Sequence, residues 1–524
     1  MSSVAPFDRK LVLLSTVFLV LIICLAGGMA LYTLSDRGIS DAYVLAEAAH
    51  TISQHYCDDV SQANLFASAR NAIFEGLDRY SDYVDERQFS RLGEELSGHY
   101  GGIGVMVVRD ENGLLVMSVR EGGPADQAGF VTGDVIVAAD SVDFSHIDAD
   151  SATSLLRGEE GSPVLVRLFR PVSADTIEIT VVRQRIPLIH VAYAGYTPDS
   201  LIYIRLLDFE AGTTDDVRSA LDSLLPKGGG SLRGVILDLS GNPGGLFSEA
   251  CDLADLFLED GTYIVSTAGR SRWRDTETRA TSGDILNGAP LALIIDRGSA
   301  SSAEIVAGAL QQAGRAALIG DTTFGKGLVQ GYTRFPDGDG VRLTIARYHF
   351  DHDTYLNEFD SVLHDSGRGL APDHYVSFEQ GKPFLRAVEN SPLLMDFVVA
   401  NQEHLIRLLL VDTLADSWVD SLAALARREG ALYKSRTTKA ADWIAQLAAS
   451  ERATAPTLKL AEELLYLSQE NDYGLFRQHS RSLKTRIKQV AFEREYGTYR
   501  AYRDVTVPES PFVQAATRIL LAQR

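Results

Sequence analysis

The chain has 524 residues, a formal net charge of −21 at pH 7 and 45% hydrophobic residues. This length allows about three or four domains, and the apolar content supports a large buried core rather than a disordered chain. The acidic balance argues against general nucleic-acid binding, because that binding needs basic surface to displace counterions. Three cysteines cannot form a disulfide framework, and no Cys/His cluster indicates a metal site.

An uncharged apolar run, LVLLSTVFLVLIICLAGGMALY, occupies residues 11–32. A helix of this length can span a bilayer. Arg9 and Lys10 precede the run, so we expect its start to face the cytoplasm and the rest of the chain to lie outside. The alternative is a cleaved signal peptide, for which the run is long. We therefore interpret residues 1–35 as a cytoplasmic stub and an uncleaved membrane anchor.

Four further regions follow in chain order. Residues 36–95 space their apolar residues three and four apart, which predicts helices. Residues 96–185 change to short alternating runs such as IGVMVV and PVLVRLF between turn signals, which predicts a small β-rich domain with one or two short helices. Strand-like and helical runs alternate over residues 186–378, which predicts an α/β core with parallel strands. Residues 379–524 have an almost wholly helical pattern, typical of a helical C-terminal extension.

The stretch GSASSAE, residues 298–304, lies between an apolar strand-like run and a helical run. Ser301 and Glu304 fit a capping box, in which the serine oxygen accepts from a first-turn N–H of the helix. The alternative is that Ser301, at a strand-to-helix turn, is a nucleophile, although the GxSxG elbow is absent. A nucleophile needs a base, and none of the eleven histidines is recognisable as one.

The stretch GDTTFGKGLVQG places Lys326 between two glycines. Most loop lysines are simply solvated, but Ser-Lys enzymes use a neutral lysine as general base, which requires desolvation to lower its pKa. A phosphate-binding loop is a third alternative, since residues 320–326 fit G-x-x-x-x-G-K. That motif continues with Ser or Thr and a helix, whereas Gly327 and a strand-like run follow here. We therefore reject a nucleotide site.

A third motif, DLSGNPGG, occupies residues 238–245, after a predicted buried strand and before a predicted helix. Its glycines allow backbone N–H groups to point into a site, and the helix N-terminus adds positive potential. This suits an oxyanion hole better than a dinucleotide site, because G-x-G-x-x-G is missing. The structural alternative is a tight turn.

Together, in the order DLSGNPGG, GSASSAE and TFGKGLVQ, the three motifs resemble those of the carboxyl-terminal processing proteases, also called tail-specific proteases. The resemblance implies a protease fold for the α/β core. It further implies that Ser301 is the nucleophile, Lys326 the general base and Gln330 the residue that orients the lysine. The family needs no metal or other cofactor.

The same resemblance assigns the oxyanion hole to backbone N–H groups of Gly244 and Ser302, and leaves open which glycine of the NPGG pair contributes. One position departs from the family pattern. The family has an arginine in DLR, whereas Ser240 stands there in this chain, so the support that the arginine gives the loop is in question.

The β-rich domain resembles a PDZ domain, through GGIGVMVV, GPADQAG and GDVI. PDZ domains bind a C-terminal carboxylate through backbone N–H groups and add the peptide as a strand. Gly102, Ile103 and Gly104 match the carboxylate loop. Arg157 matches a family arginine thought to link peptide occupancy to the active site; the structural alternative is a surface arginine near a helix end.

The sequence therefore predicts a membrane-anchored serine endopeptidase that recognises protein or peptide substrates with free C-termini. We expect it at the bacterial inner membrane, with its catalytic part in the periplasm and without bound nucleic acid. One alternative is a catalytically inactive PDZ adaptor on a protease-like core, and another is an esterase of small acyl groups. A homo-oligomer or an adaptor protein stays open as a partner.

Overall fold

A computed structural model of the chain describes residues 37–96, 98–171, 173–225, 232–270, 275–350, 369–377, 383–389, 391–409, 414–430 and 433–522. The chain divides into two compact units, one of Met1–Asp85 with Tyr332–Leu343 and one of Glu86–Gly331 with Thr344–Arg524. Within the described ranges, no helix is both long and apolar enough to cross a membrane. The predicted anchor at residues 11–32 lies outside the described residues.

The smaller unit consists of helices and a short strand pair. Helices α1 (Arg37–His55) and α2 (Gln62–Phe74) confirm the helical prediction for this region. Strand β1 (Asp82–Val84) pairs antiparallel with residues 340–342, and helical spacing did not predict it. Its pairing partner is distant in sequence, so local periodicity carried no signal for this strand.

The larger unit begins with α3 (Glu86–Leu96), followed by a β-rich region. Strand β2 (His99–Gly102) pairs antiparallel with β9 (Gln184–Pro187). Between them lies a six-stranded antiparallel sheet of β3 (Val105–Arg109), β4 (Leu114–Val119), β5 (Val135–Ala139), β6 (Val142–Asp143), β7 (Pro163–Arg170) and β8 (Asp175–Val182). Two short helices, α4 (Pro124–Gln127) and α5 (Ala149–Leu156), complete the region as predicted. Among the described strands, β3 pairs only with β4, which leaves its outer edge for an added strand.

The α/β core is built on a second six-stranded sheet. In spatial order its strands are β10 (Val191–Tyr196), β11 (Ile202–Leu206), β12 (Val235–Asp238), β15 (Leu291–Ile295), β16 (Ala316–Gly320) and β19 (His374–Tyr375). All neighbours are parallel except β10 and β11. This confirms the parallel α/β prediction, and the continuous apolar runs of β12 and β15 are typical of strands buried on both faces.

Helices cover both faces of this sheet, because alternate residues of a strand point to opposite sides. Helices α6 (Thr213–Leu224), α7 (Phe247–Asp255) and α8 (Ser302–Gln312) pack on one face, together with residues such as Leu237 and Leu293. The other face carries Ile236 and Ile294 and packs against Phe512 and Leu520 near the end of the chain.

A further group of strands belongs in part to each of the two units. It contains β13 (Tyr263–Gly269), β14 (Thr276–Arg279), β17 (Leu328–Arg334) and β18 (Gly340–His349). Within the larger unit, the second half of β18 pairs antiparallel with β13, so that Tyr348 stands opposite Thr267. The strand character predicted for LVQGYTRF is confirmed as β17.

The C-terminal region is helical, as predicted. Its elements are α9 (Pro383–Glu389), α10 (Pro392–Leu409), α11 (Asp416–Arg428), α12 (Arg436–Ser450), α13 (Ala455–Gln478), α14 (Ser480–Tyr496), α15 (Thr498–Ala501), a π-helical turn (Tyr502–Thr506), α16 (Val507–Glu509) and α17 (Pro511–Ala522). One apolar cluster joins Leu115 and Val135 of the β-rich sheet to α10 and α14. Helix α17 packs on the α/β sheet, so the C-terminal helices contact both regions that precede them.

Candidate active site

Ser301 lies at the turn between β15 and α8, where the sequence predicted it. Its backbone has φ 54° and ψ −114°, a positive φ that residues with a side chain rarely adopt. Neighbouring bonds hold the turn: the Ala300 N–H donates to the Asn242 carbonyl at 2.9 Å, and the Ser299 hydroxyl donates to the Leu239 carbonyl at 2.8 Å. The turn thus resembles the strained nucleophile elbow without having its GxSxG motif.

Lys326 lies in the irregular loop of residues 321–327, just before β17. Its Nζ donates a hydrogen bond to Oε1 of Gln330 at 3.3 Å, which is the contact that the sequence predicted. The acceptor is an uncharged amide oxygen. It orients the lysine side chain without the stabilisation of the ammonium form that a carboxylate would bring.

The buried carboxylate of Glu304 joins the serine turn to the lysine loop. Its Oε2 accepts from the Ser301 N–H at 2.9 Å and from the Lys326 N–H at 2.8 Å. Its Oε1 accepts from the Thr323 hydroxyl at 2.6 Å and from the Gly325 N–H at 2.7 Å. Burial raises the pKa of Glu304, and these four hydrogen bonds oppose the shift. One side chain therefore fixes the backbones of both predicted catalytic residues.

Sequence reasoning assigned Glu304 only a capping role. The structure retains that role: Ser301 and Glu304 form a capping box at the start of α8, in which the carboxylate accepts from the Ser301 N–H. The Glu304 N–H also donates to the Ser301 carbonyl at 2.8 Å. The bonds to the lysine loop were missed. A signal was present: the six residues after Glu304 are all apolar or glycine, and an acidic residue on a helix buried on every side needs partners for its charge.

We predict that Glu304→Gln strongly slows the labelling of Ser301 by a fluorophosphonate, by roughly 100-fold. An amide offers one oxygen in place of two, and its NH₂ would face two N–H donors, so the two segments would separate. The matched control is Asp255→Asn, because the Asp255 carboxylate also accepts four hydrogen bonds, from Thr281 and Ser282. The control should lose stability but keep its labelling rate. Equal labelling rates in the two variants would contradict the assigned role.

The glycine loop of residues 238–245 approaches the serine. A Cβ added to Gly244, where φ is 94°, would lie 2.8 Å from the Ser301 Cβ and 2.8 Å from the Ser302 nitrogen, so only glycine fits here. Ser302 begins α8, where first-turn N–H groups lack intrahelical acceptors. The Gly244 N–H donates to Asn242 Oδ1 at 2.9 Å. For the Gly244 N–H to stabilise an oxyanion, as predicted, it must give up its hydrogen bond to Asn242. Whether Gly244 or Gly245 supplies the N–H stays open.

A different arginine supports the loop at the position where Ser240 departs from the family pattern. Arg205, in β11, donates from Nη1 to Asp238 Oδ1 at 2.6 Å and to the Ser240 hydroxyl at 2.6 Å. Its Nη2 donates to the Ser240 carbonyl. Burial lowers the pKa of Arg205, but the Asp238 carboxylate, together with Tyr203, Tyr502 and Asp296, raises it by more, which keeps the guanidinium charged. Asp238 also accepts from the Tyr203 hydroxyl at 2.6 Å.

We predict that Arg205→Met lowers the free energy of unfolding by about 3 kcal/mol, because the Asp238 carboxylate stays buried without its cation. A second change, Ser240→Arg, should restore part of the loss by supplying a guanidinium from the loop itself. Urea denaturation measures both effects. In a matched control, Arg315→Met breaks another buried ion pair, and Ser240→Arg should not rescue it. Rescue of both variants, or of neither, would contradict the assignment.

The predicted carboxylate loop of the β-rich region follows β2. The Ile103 carbonyl accepts from the Ala125 N–H at 2.9 Å, and the Gly104 carbonyl accepts from the Arg120 N–H at 2.9 Å. Ile103 is buried in the core of this region, and Gly104 has a φ of 79°. The carbonyls are thus bound within the domain, which fixes the shape of the loop at the start of the free-edged strand β3.

Arg157 follows α5 directly and lies near this loop. Its Cζ is 4.5 Å from the centre of the Tyr100 ring, a cation–π distance. The same ring packs on Gly102, where an added Cβ would lie 2.6 Å from Cε2 of Tyr100. Tyr100 therefore connects the arginine to the predicted carboxylate loop. The proposed link from Arg157 to the active site stays a prediction.

The described residues contain no group of three His, Cys, Asp or Glu side chains arranged to hold a metal ion. The loop that contains Lys326 leads into strand β17 and not into a helix. A phosphate-binding loop needs that helix, so the geometry agrees with the rejection of a nucleotide site.

The α/β core and the β-rich region each match the sequence model of a known family. The sequence model of peptidase family S41 matches residues 200–376, and that of the PDZ domain matches residues 101–181. A carboxy-terminal-processing protease of Bartonella bacilliformis is 33% identical over 313 residues, which cover 60% of this chain and 69% of that protein. The chain belongs to peptidase family S41. Members of this family of carboxyl-terminal processing proteases are serine-type peptidases, and this member carries a PDZ domain.

Other S41 relatives give the same picture. The carboxy-terminal processing protease CtpA of Bacillus subtilis is 30% identical over 315 residues, which cover 60% of this chain and 66% of that protein. A carboxyl-terminal-processing protease of Synechocystis is 36% identical over 266 residues, which cover 50% and 61%. The chain thus spans 61% to 69% of the length of these relatives. Among solved structures, the photosystem II D1 C-terminal processing protease is 26% identical, with 64% of this chain and 92% of that chain covered and a TM-score of 0.37.

Proposed function

We propose that this S41 member is an active serine endopeptidase with a Ser301–Lys326 dyad. The observation that carries the proposal is the single carboxylate of Glu304, which accepts from the N–H groups of both residues. In its neutral form the lysine takes the serine proton as the serine oxygen attacks the scissile carbonyl. The protonated lysine then gives this proton to the amine as the tetrahedral intermediate collapses, so that the amine leaves and the acyl-enzyme forms. In the second half of the reaction the neutral lysine takes a proton from water, the water attacks the acyl-enzyme, and the proton returns to the Ser301 oxygen as the acid product leaves.

The oxyanion of the tetrahedral intermediate would be stabilised by backbone donors beside the serine. The Ser302 N–H at the start of α8 is one, and a glycine N–H of the NPGG loop is the other. By analogy with known donor deletions, each is worth about 3 kcal/mol of transition-state stabilisation. The close approach of Gly244 to Ser301 and Ser302 supports this arrangement.

The dyad requires a lysine that is neutral at working pH. A free lysine has a pKa near about 10.4, so the pKa of Lys326 must be lowered by removal of water. Gln330 accepts from the ammonium without adding negative charge, whereas a carboxylate there would favour the charged form. The enzyme's activity should therefore rise with pH through the lysine pKa.

We predict that Lys326→Arg is inactive, because a guanidinium does not deprotonate in this pH range. Gln330→Glu should stay active but shift the profile of acylation rate against pH to higher pH. The measurement is the rate of fluorophosphonate labelling and of peptide acylation as a function of pH, with Ser301→Ala as the unlabelled control. Substantial activity in Lys326→Arg would show that another group is the base. A wild-type protein that is not labelled would favour the inactive adaptor instead.

We further propose that the PDZ domain captures the free C-terminus of a protein or peptide substrate and delivers the chain to Ser301. A peptide would add as a strand along the free edge of β3, with its carboxylate at Gly102–Gly104. The contact of Arg157 with Tyr100 supports a role for Arg157 in sensing that carboxylate.

Amidation of a peptide's C-terminus should lower its cleavage efficiency relative to the free acid, because it removes the charge that the loop N–H groups bind. Arg157→Ala should reduce the cleavage of the free acid while leaving labelling by a small fluorophosphonate unchanged. Parallel turnover assays on the acid and the amide measure the effect. Equal turnover of both peptides, with normal cleavage by Arg157→Ala, would exclude PDZ control and leave the dyad untouched.

The proposed location is the bacterial inner membrane, with residues 11–32 as a single-pass anchor and the catalytic part in the periplasm. The uncharged run and the preceding Arg9 and Lys10 support this orientation. Protease added to spheroplasts should digest the bulk of the chain. Protection until lysis would reverse the orientation, and a mature protein that begins near residue 31 would replace the anchor with a cleaved signal peptide.

A further inference from the structure

Tyr348 lies in the second half of β18 and is 1% exposed. Its hydroxyl contacts the backbone carbonyls of the two proposed catalytic residues: it donates to the Ser301 carbonyl at 3.2 Å and to the Lys326 carbonyl. Its own N–H donates to the Gly327 carbonyl at 3.2 Å. Tyr348 therefore binds the lysine loop at two consecutive carbonyls and the serine turn at one.

These contacts complement those of Glu304. The carboxylate accepts from the N–H groups of Ser301 and Lys326, and the phenol donates to their carbonyl groups. A hydroxyl has one proton, so the two carbonyl oxygens share it in a three-centre bond. The peptide units on both sides of each residue are thereby held.

The phenol position is fixed by its surroundings. Tyr348 stands opposite Thr267 in the β13–β18 pair, and its ring meets that of Phe350 edge-on, with centroids 5.9 Å apart. The Phe350 ring in turn packs on Gly308 of α8, where an added Cβ would lie 2.4–2.7 Å from ring atoms. A tyrosine side chain has only two rotatable angles, so a strand and ring so placed leave the hydroxyl little freedom.

We propose that Tyr348 is a positioning residue that sets the spacing between Ser301 and Lys326. The inference rests on the proposed dyad and adds to it a group from a strand outside the three sequence motifs. Without the hydroxyl, the Ser301 and Lys326 carbonyls lose their shared donor. The two segments then keep the Glu304 hydrogen bonds and the bond from the Phe324 N–H to the Ser299 carbonyl. The lysine and serine side chains then spend less time at the distance that proton transfer needs.

The test is Tyr348→Phe, which removes one oxygen and keeps the ring. We expect kcat for peptide cleavage to fall roughly 10- to 100-fold, because small misplacements of reacting groups have effects of this size, while KM stays within about twofold. The acylation profile should also move to higher pH, because a looser lysine loop admits water and raises the pKa of the base.

The matched control is Tyr263→Phe. The Tyr263 hydroxyl donates to the Ser266 hydroxyl at 2.8 Å and to the His349 carbonyl at 3.0 Å, so the control removes a hydroxyl that bonds a backbone carbonyl of the same strand, β18. It should lower the urea midpoint by an amount similar to Tyr348→Phe and leave kcat and the pH profile unchanged. If both variants lose kcat equally, or neither does, the positioning role of Tyr348 is wrong.

Crystal structures of the wild type and of Tyr348→Phe provide a readout that does not depend on turnover. We expect the Ser301 and Lys326 carbonyl oxygens to lie farther apart in the variant. An unchanged separation would overturn the inference. A wild-type protein without acylation would contradict the proposed function, and the separation of the two carbonyls would still decide whether Tyr348 holds them.

Discussion

A carboxylate that is removed from water needs a donor for every oxygen, because an unpaired buried charge costs several kcal/mol. Glu304 meets that requirement with four donors from two stretches of chain, the serine turn and the lysine loop. Because one carboxylate accepts hydrogen bonds from both stretches, the loss of a donor from one stretch also weakens the attachment of the other. The need to solvate one charge thus helps to bring the backbones of Ser301 and Lys326 together.

Buried charged groups also hold the glycine loop of residues 238–245. Asp238 and Arg205 form a buried ion pair at the base of the loop, and Tyr203 completes the coordination of the carboxylate. The charged groups are buried in the scaffold. The groups that we propose for the chemistry are the Ser301 hydroxyl, the Lys326 amine bound by the Gln330 amide, and backbone N–H groups. The amide oxygen of Gln330 accepts from the lysine amine without the negative charge that would stabilise the ammonium form.

What the sequence predicted well was local. The strand–helix alternation, the turn at Ser301 and the Lys326–Gln330 contact each depend on residues a few positions apart, and each agrees with the structure. The contacts that hold the site are not local: Arg205 and Tyr348 come from strands whose neighbours no periodicity specifies. The replacement of an arginine by a serine in DLS was visible, but only the fold shows which side chain enters the space.

Helix α17 covers one face of the α/β sheet, and this has a consequence for how the protein is made. The ribosome completes every strand of the α/β sheet before it reaches residues 511–522. The sheet face that carries Tyr203, Ile236 and Ile294 therefore stays exposed to solvent until those residues have been synthesised. Such a surface invites aggregation or chaperone capture. Since the Tyr203 hydroxyl also binds Asp238, the burial of this contact at the base of the glycine loop is complete only after α17 has packed on the sheet.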